Sequence, residues 1–523
     1  MTVNVESQSD IDRKDEERLA HFGFQQELRR DWSLIHNFGV SFSIISVITG
    51  TTTLFSYGLN TGGPAVMSGG WLVVNFFTLS VGLSMAEIVS SVPTSGGPYY
   101  WAAILSPPNH AAFFSWMTGW YNFLGQVAVT TGISFGMAQL VSTAATVKTD
   151  FVPTPAKTVG IYAAILTSHA LLNTFGVRLL RYLNNSSILF HSVGVSSLAI
   201  AVLAKAPIHQ SAKFVFGKFY DGTGGWSIRA SPEYVAVIGI LMSQYTITGY
   251  DASAHMSEET HNAEWSAPIG VVTSILMSTV FGFFVIVSFL FSIQDFDRTV
   301  NTPYGEPVLQ IFIDVFGEDG ALAAFSIILV CVWHCGLFSL TSNSRMMFAF
   351  ARDGALPKFF NHVHGKYQSP VRTIWLAALL AFCLSLPSLG SSVAFSAATS
   401  IATIGLYISY SLPVLIGLVF PQYFRKGPFN LGKFSPIVAT ICCLWVGFIT
   451  VIFCLPTANP VTAQSLNYTP VAVAIVGGCA LFAWLVSARR WFKGPLRPDE
   501  DGDLRYVEGE SFEVTISQPE KVE

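Results

Sequence analysis

Long apolar segments recur about a dozen times along this 523-residue chain, and only 11% of its residues carry charge. Crossing a bilayer takes about 20 mostly apolar residues, within a range of roughly 17–25. Trp71–Val92, Ile269–Ile293 and Val471–Ser487 meet that requirement. Lipid offers no partner to a backbone N–H or C=O, so each segment must pair its own and becomes a helix. The mean hydropathy of +0.50 and the 42 phenylalanines suit such a solvent. The pattern predicts an all-α integral membrane protein.

Twelve spans are expected, at about 36–58, 69–92, 110–142, 157–176, 183–204, 231–256, 266–293, 321–351, 371–389, 392–417, 434–456 and 469–488. An even number puts both termini on one side. Of the 28 Lys and Arg residues, 21 fall on the side of the termini and 7 on the other, which makes the termini cytoplasmic. The chain then divides into a cytosolic N-terminal tail over 1–35, a transmembrane domain over 36–490 and an acidic cytosolic C-terminal tail over 491–523. Both tails are polar and are expected to be mobile. Some 35 largely polar residues precede the first span, so no cleavable signal peptide is expected. The seven cysteines all fall in expected spans and read as packing residues.

Polar residues inside lipid are costly, which makes each a functional candidate. The first span contains Thr49-Gly50-Thr51-Thr52-Thr53. A glycine among threonines is poor helix material, and a break there would free backbone groups for a ligand. Close packing through small residues is the alternative. The sixth span carries Tyr245-Thr246-Ile247-Thr248-Gly249-Tyr250-Asp251. Asp251 needs a partner: freed backbone donors, a substrate amine, or its own half-helix if it serves as a cap. His255, Glu258 and Glu259 follow at the cytoplasmic mouth and read as solvated. His191 lies midway along the fifth span, as a packing residue or a proton site. His169 and His334 raise the same question.

Four segments carry a family resemblance. Glu87 with Pro93-Thr94-Ser95-Gly96-Gly97-Pro98-Tyr99, and Arg345 with Ala351-Arg352-Asp353-Gly354-Ala355-Leu356-Pro357, resemble signatures of the amino acid–polyamine–organocation (APC) superfamily. The opening Glu27-Leu28-Arg29-Arg30-Asp31-Trp32 with Phe38–Ile44 resembles its fungal and plant branch, which includes amino acid, GABA and choline permeases, and the run Thr248–Ser253 completes the set. The resemblance implies a LeuT-like core of 5+5 inverted repeats, about 36–204 and 231–417. Helices 1 and 6 would be broken near Thr49–Thr53 and Thr248–Tyr250, with two extra helices at about 434–488. It implies a ligand held by Thr49, Gly50, Thr51, Thr52, Thr248, Gly249 and Asp251. Asn122 and Gln126 would add polar groups from span 3, and Tyr245 or Tyr250 would close the pocket. It also places His191 where many relatives carry a coupling lysine, with Thr341, Ser342 and Ser344 facing it.

The expected activity is secondary active, proton-coupled transport of an amino acid or small amine such as GABA by alternating access. Choline, met by Tyr245, Tyr250 and Tyr121, is the rival substrate. A non-transporting nutrient sensor is the other class. No enzyme motif, cofactor, metal or nucleic-acid partner is expected. The membrane is expected to be the plasma membrane, with a vacuolar or other organelle membrane as the alternative.

Overall fold

The computed structural model describes residues 8–23, 26–28, 30–390, 394–498 and 504–505. A polar helix, α1 (Gln8–His21), leads the chain. The first apolar stretch is split into α2 (Leu34–Ile45), α3 (Val47–Thr53) and a short helix over Phe55–Asn60. Three unbroken helices follow: α4 (Gly63–Ser91), α5 (Pro108–Thr146) and α6 (Pro155–Phe175). Helices α7 (Val177–Leu189) and α8 (Val195–Lys205) join through a π-turn at Phe190–Gly194. The next stretch comes in three pieces, α9 (Pro232–Gly239), α10 (Leu241–Thr246) and α11 (Ala252–His255). The last six are α12 (Ala263–Phe291), α13 (Pro307–Arg352), α14 (Val371–Ser385), α15 (Ala394–Val419), α16 (Ser435–Ile452) and α17 (Thr469–Val486). Gly317, at φ 73°, interrupts α13.

Local chemistry sets many of these starts. Proline opens α5, α6 and α9, where a missing N–H costs nothing. The Thr154 and Ser231 side chains accept from the backbone N–H of Lys157 and Tyr234 as caps.

Ten helical stretches among the described residues are long and apolar enough to cross a bilayer. The expected fourth and sixth spans fall outside that count, the sixth because it is interrupted. The outside is apolar while polar groups are sheltered inside an otherwise apolar core: Phe76, Val280, Leu444 and Phe482 are exposed, whereas Asn75, Gln126, Asn343 and Arg345 are buried. A lipid solvent accounts for that inversion. The bundle is built around α5. Gly125 lies so close to α15 that an added Cβ would sit 2.6 Å from the Leu406 backbone nitrogen. Small residues allow that approach where lipid provides no hydrophobic drive.

The N-terminal segment departs from the mobile-tail expectation. Leu19 and Phe22 are buried, Arg18 pairs with Glu264, and Asp15 accepts from the Asn262 N–H at 2.7 Å. Two apolar anchors and complementary charges give this polar segment a fixed seat. Of the acidic C-terminal tail, residues 499–503 and 506–523 lie outside the described residues.

Candidate functional site

Two interruptions face one another in the middle of the bundle. The first is at Ser46, which adopts φ 34°, ψ 72° between α2 and α3. The expected break at Thr49–Thr53 is therefore corrected: Thr49, Gly50, Thr51 and Thr52 lie in the helical turn of α3, and the backbone leaves helix on either side of that turn, at Ser46 and again at Leu54 (φ -112°, ψ 14°). Thr53 Oγ1 donates to the Thr49 carbonyl at 2.9 Å, a bond that keeps threonine compatible with helix. The second interruption covers Ile247–Asp251, between α10 and α11. Gly249 sits at φ +100°, a conformation that favours glycine.

Glycine also brings the two interruptions together. A Cβ on Gly50 would stand 2.7 Å from the Thr246 Cα, and one on Gly249 would stand 2.4 Å from Ile44 Cγ2. Between them lies a cavity of about 10 Å³ lined by Ile44, Ile45, Thr49, Gly50, Val129, Ile133, Tyr245, Thr246, Thr248 and Cys335. That volume is about one water molecule's probe sphere. Along α5, one to two turns beyond Ile133, a larger cavity of 270 Å³ is lined by Phe135, Gln139, Thr158 and Phe395.

The expected polar residues separate around this pocket. Gln126 Nε2 donates to Asp251 Oδ2 at 2.7 Å, tying α5 to the second interruption. Asn122 instead donates to Ser409 Oγ of α15 at 3.0 Å. Asp251 makes no side-chain cap, and its backbone carbonyl takes the N–H groups of Ala254 and His255. Tyr245 lines the pocket. Tyr250 turns away into a cluster with Tyr410 and Tyr407, at ring separations of 5.3 and 6.3 Å. Its carbonyl accepts from Ser41 Oγ at 2.9 Å.

His191, within the π-turn, reaches the first interruption directly. Its Nδ1 lies 2.8 Å from the Ser187 carbonyl, which can only accept, so Nδ1 carries hydrogen. Nε2 lies 2.7 Å from Ser46 Oγ. Ser46 Oγ is in turn bonded to Thr49 Oγ1, so a non-glycine residue is held in the left-handed region. Thr341, Ser342 and Ser344 do not meet His191. Thr341 donates to Asn173 Oδ1 at 2.8 Å and Ser344 to the Thr341 carbonyl at 2.8 Å. The α13 residues nearer the break are Cys335, whose Sγ donates to the Ile44 carbonyl at 3.2 Å, and His334, 3.3 Å from Ser186 Oγ. The facing residues lie two to three turns earlier on α13 than expected. His169 packs against Trp333, with ring centroids 5.4 Å apart.

The face bearing α1 is shut by buried charge. Arg352 holds Glu258 through two bonds, at 3.1 and 2.9 Å, and Arg345 holds Glu259 at 2.9 Å. Asn37 donates to the Ser253 carbonyl at 2.9 Å. His255, Glu258 and Glu259 are buried, not solvated as expected, because arginines of α13 close over the two glutamates. Burial pushes the Glu258 carboxyl up, but Arg352 and the Ser95 N–H outweigh it and hold it below its ordinary value. The signature segments meet here: Tyr99 donates to Asp353 at 2.8 Å. Tyr99, Arg345, Arg352 and Asp353 all come from the segments that carry the family resemblance.

A lipid-facing helical bundle with two interrupted helices around an enclosed pocket defines a multi-pass membrane transporter. The chain belongs to the amino acid permease family, whose profile matches residues 35–478. It is 45% identical over 495 residues to the amino-acid permease BAT1 homolog of Oryza sativa subsp. japonica, covering 92% of this chain and 95% of that one. The amino-acid permease BAT1 of Arabidopsis thaliana is 43% identical over 501 residues, covering 92% and 96%. The GABA-specific permease of Saccharomyces cerevisiae is 31% identical over 518 residues, covering 96% and 89%. These relatives are permeases and not enzymes.

Proposed function

We propose that this chain is a secondary active transporter that carries an amino acid, or a related small amine such as GABA, together with a proton by alternating access. The reading takes the membrane domain as twelve spans in a LeuT-like arrangement. In it, α2 and α3 form the broken first helix, α9 to α11 the broken sixth, and α16 and α17 the two additions. The face bearing α1 is then cytoplasmic and the membrane the plasma membrane. The observation that carries the proposal is the meeting of two helix interruptions, through Gly50 and Gly249, at one closed pocket.

Thr49, Gly50, Thr51, Thr52, Thr248 and Gly249 offer backbone and hydroxyl groups to the ligand, with Tyr245 as its lid. Gln126 and Asp251 stand on the gate side, and His191 reads the position of Ser46. Protonating His191 favours one access state, since a ligand shifts only an equilibrium to which it binds differentially. The names of the relatives support amino acids over choline. So does the geometry: of the tyrosines proposed for an organic cation, Tyr245 lines the pocket while Tyr250 packs into its own cluster and Tyr121 faces Gly477.

Uptake by permease-deficient cells across labelled amino acids, GABA and choline at two pH values tests the reading. Saturable, acid-stimulated uptake of an amino acid is expected, and absence of uptake of every compound refutes it. His191→Phe is expected to abolish pH-dependent accumulation while exchange stays measurable. Unchanged uphill uptake in that variant removes His191 from the mechanism.

A further inference from the structure

Asp251 and His255 stand one helical turn apart, just before the start of α11 and at its end. That spacing brings their side chains together on one face. Asp251 is 1% and His255 0% exposed. His255 Nδ1 lies 2.9 Å from the carbonyl oxygen of Ser95. A carbonyl can only accept, so Nδ1 carries hydrogen, and in a neutral ring Nε2 is then a bare lone pair. Nε2 lies 3.3 Å from Asp251 Oδ2. A bare nitrogen facing an ionised carboxylate at that range, away from water, is two acceptors with nothing between them.

One further proton removes the conflict. It makes either an imidazolium beside a carboxylate or an imidazole beside a carboxylic acid. Neighbouring charges do not replace it. Arg352 faces Glu258 and Arg345 faces Glu259, while Asp353 is held by Tyr99. The groups facing the pair from other elements are neutral: Gln126 of α5 donates to Asp251 Oδ2, Ser95 accepts from His255, and the Tyr410 hydroxyl of α15 faces Asp251. His255 Nε2 has no hydrogen-bond partner among the described residues. We propose that Asp251 and His255 form a second proton-binding site, which holds a single shared proton while the gate is closed and releases it when α11 leaves α5.

The release follows from the contacts. The pair is dry because α11 is held against α5 by Gln126 and against the segment after α4 by Ser95. Opening this face parts α11 from both and admits water. An imidazole in water gives up its proton within the physiological range. One proton taken up from outside therefore favours closure on this side, and its departure accompanies opening. This role for the pair rests on the transporter reading, whereas the one-proton state is a property of the closed structure alone.

Two measurements on the full-length chain separate those claims. In lipid nanodiscs with 15N-labelled histidine, the His255 signal is identified by its loss in His255→Gln. It is expected to show Nδ1 protonated throughout, with one further proton shared at Nε2. An Nε2–H tautomer with a bare Nδ1 would overturn the site whatever the chain transports. In proteoliposomes, uptake of labelled GABA and of neutral, acidic and basic amino acids under an imposed pH gradient is compared with exchange at equal pH. His255→Gln supplies a permanent amide donor to Asp251. It is expected to lose gradient-driven accumulation by about tenfold more than it loses exchange. An unchanged ratio would overturn the coupling role. Failure of the unsubstituted chain to carry any of these compounds would instead refute the transporter reading, leaving the spectrum to judge the pair.

Discussion

Replacing Gly50 by alanine tests whether close approach of the two interruptions keeps the pocket closed. The new methyl would stand 2.3 Å from Thr246 Oγ1 and 2.7 Å from the Thr246 Cα. A side-chain tip can rotate away, but main chain cannot do so without moving α10. Overpacking costs about 1–3 kcal/mol, and an obstacle in the main chain points to the upper part of that range. About 2–3 kcal/mol therefore acts against the closed arrangement, which lowers the closed-to-open ratio by about 30–150-fold. Cys335 lines the pocket and reports the change. Its labelling by a membrane-permeant maleimide, with Cys335→Ser as the blank, is expected to accelerate in that proportion in Gly50→Ala. Gly160→Ala, where an added Cβ meets nothing within 4 Å, is the control. Labelling of Gly50→Ala at the unsubstituted rate, or equal acceleration in the control, would refute the argument.

Arg345 is fully buried against Glu259. Arg345→Met strands the glutamate and is expected to cost about 3–5 kcal/mol in detergent unfolding, with part recovered when Glu259→Gln is added. Equal stability of the single and double variants would show that the pair is not coupled. Glu306 sits at the start of α13, on the opposite face from α1, where burial pushes its carboxyl up to about 8 against the single Val308 N–H. An unfolded glutamate titrates near about 4.3. Its contribution is therefore full below about 4.3, declines as pH rises, and is gone beyond about 8. Hydrogen exchange over residues 302–316, corrected for intrinsic rate, is expected to quicken between about pH 5 and about pH 9 and to lose that dependence in Glu306→Gln. Identical pH responses in both chains would contradict it.

The helical character of the chain was legible because lipid leaves the backbone no other way to pair, and Trp71–Val92 or Ile269–Ile293 has to be a helix. The second interruption was legible at Gly249, whose backbone freedom is used at φ +100°. The first falls on either side of the threonine run, at Ser46 and at Leu54. A serine at 46 looks like any helical serine until His191, 145 positions away, bonds to it. The burial of Glu258 and Glu259 was missed for the same reason, since their arginines lie on α13. Gln126 and Asn122 are one turn apart on α5 and alike in chemistry, yet Gln126 meets Asp251 while Asn122 meets Ser409. Spacing alone does not choose between them.

The leading helix α1 is bolted across the start of α12: Asp15 takes the Asn262 N–H, and Arg18 grips both Glu264 and the carbonyls of Ser90 and Ser91. Any swing of α12 away from α4 must drag this clasp along or unfasten it. A chain shortened to begin near Asp31 would keep α2 to α17 and lose every one of these contacts.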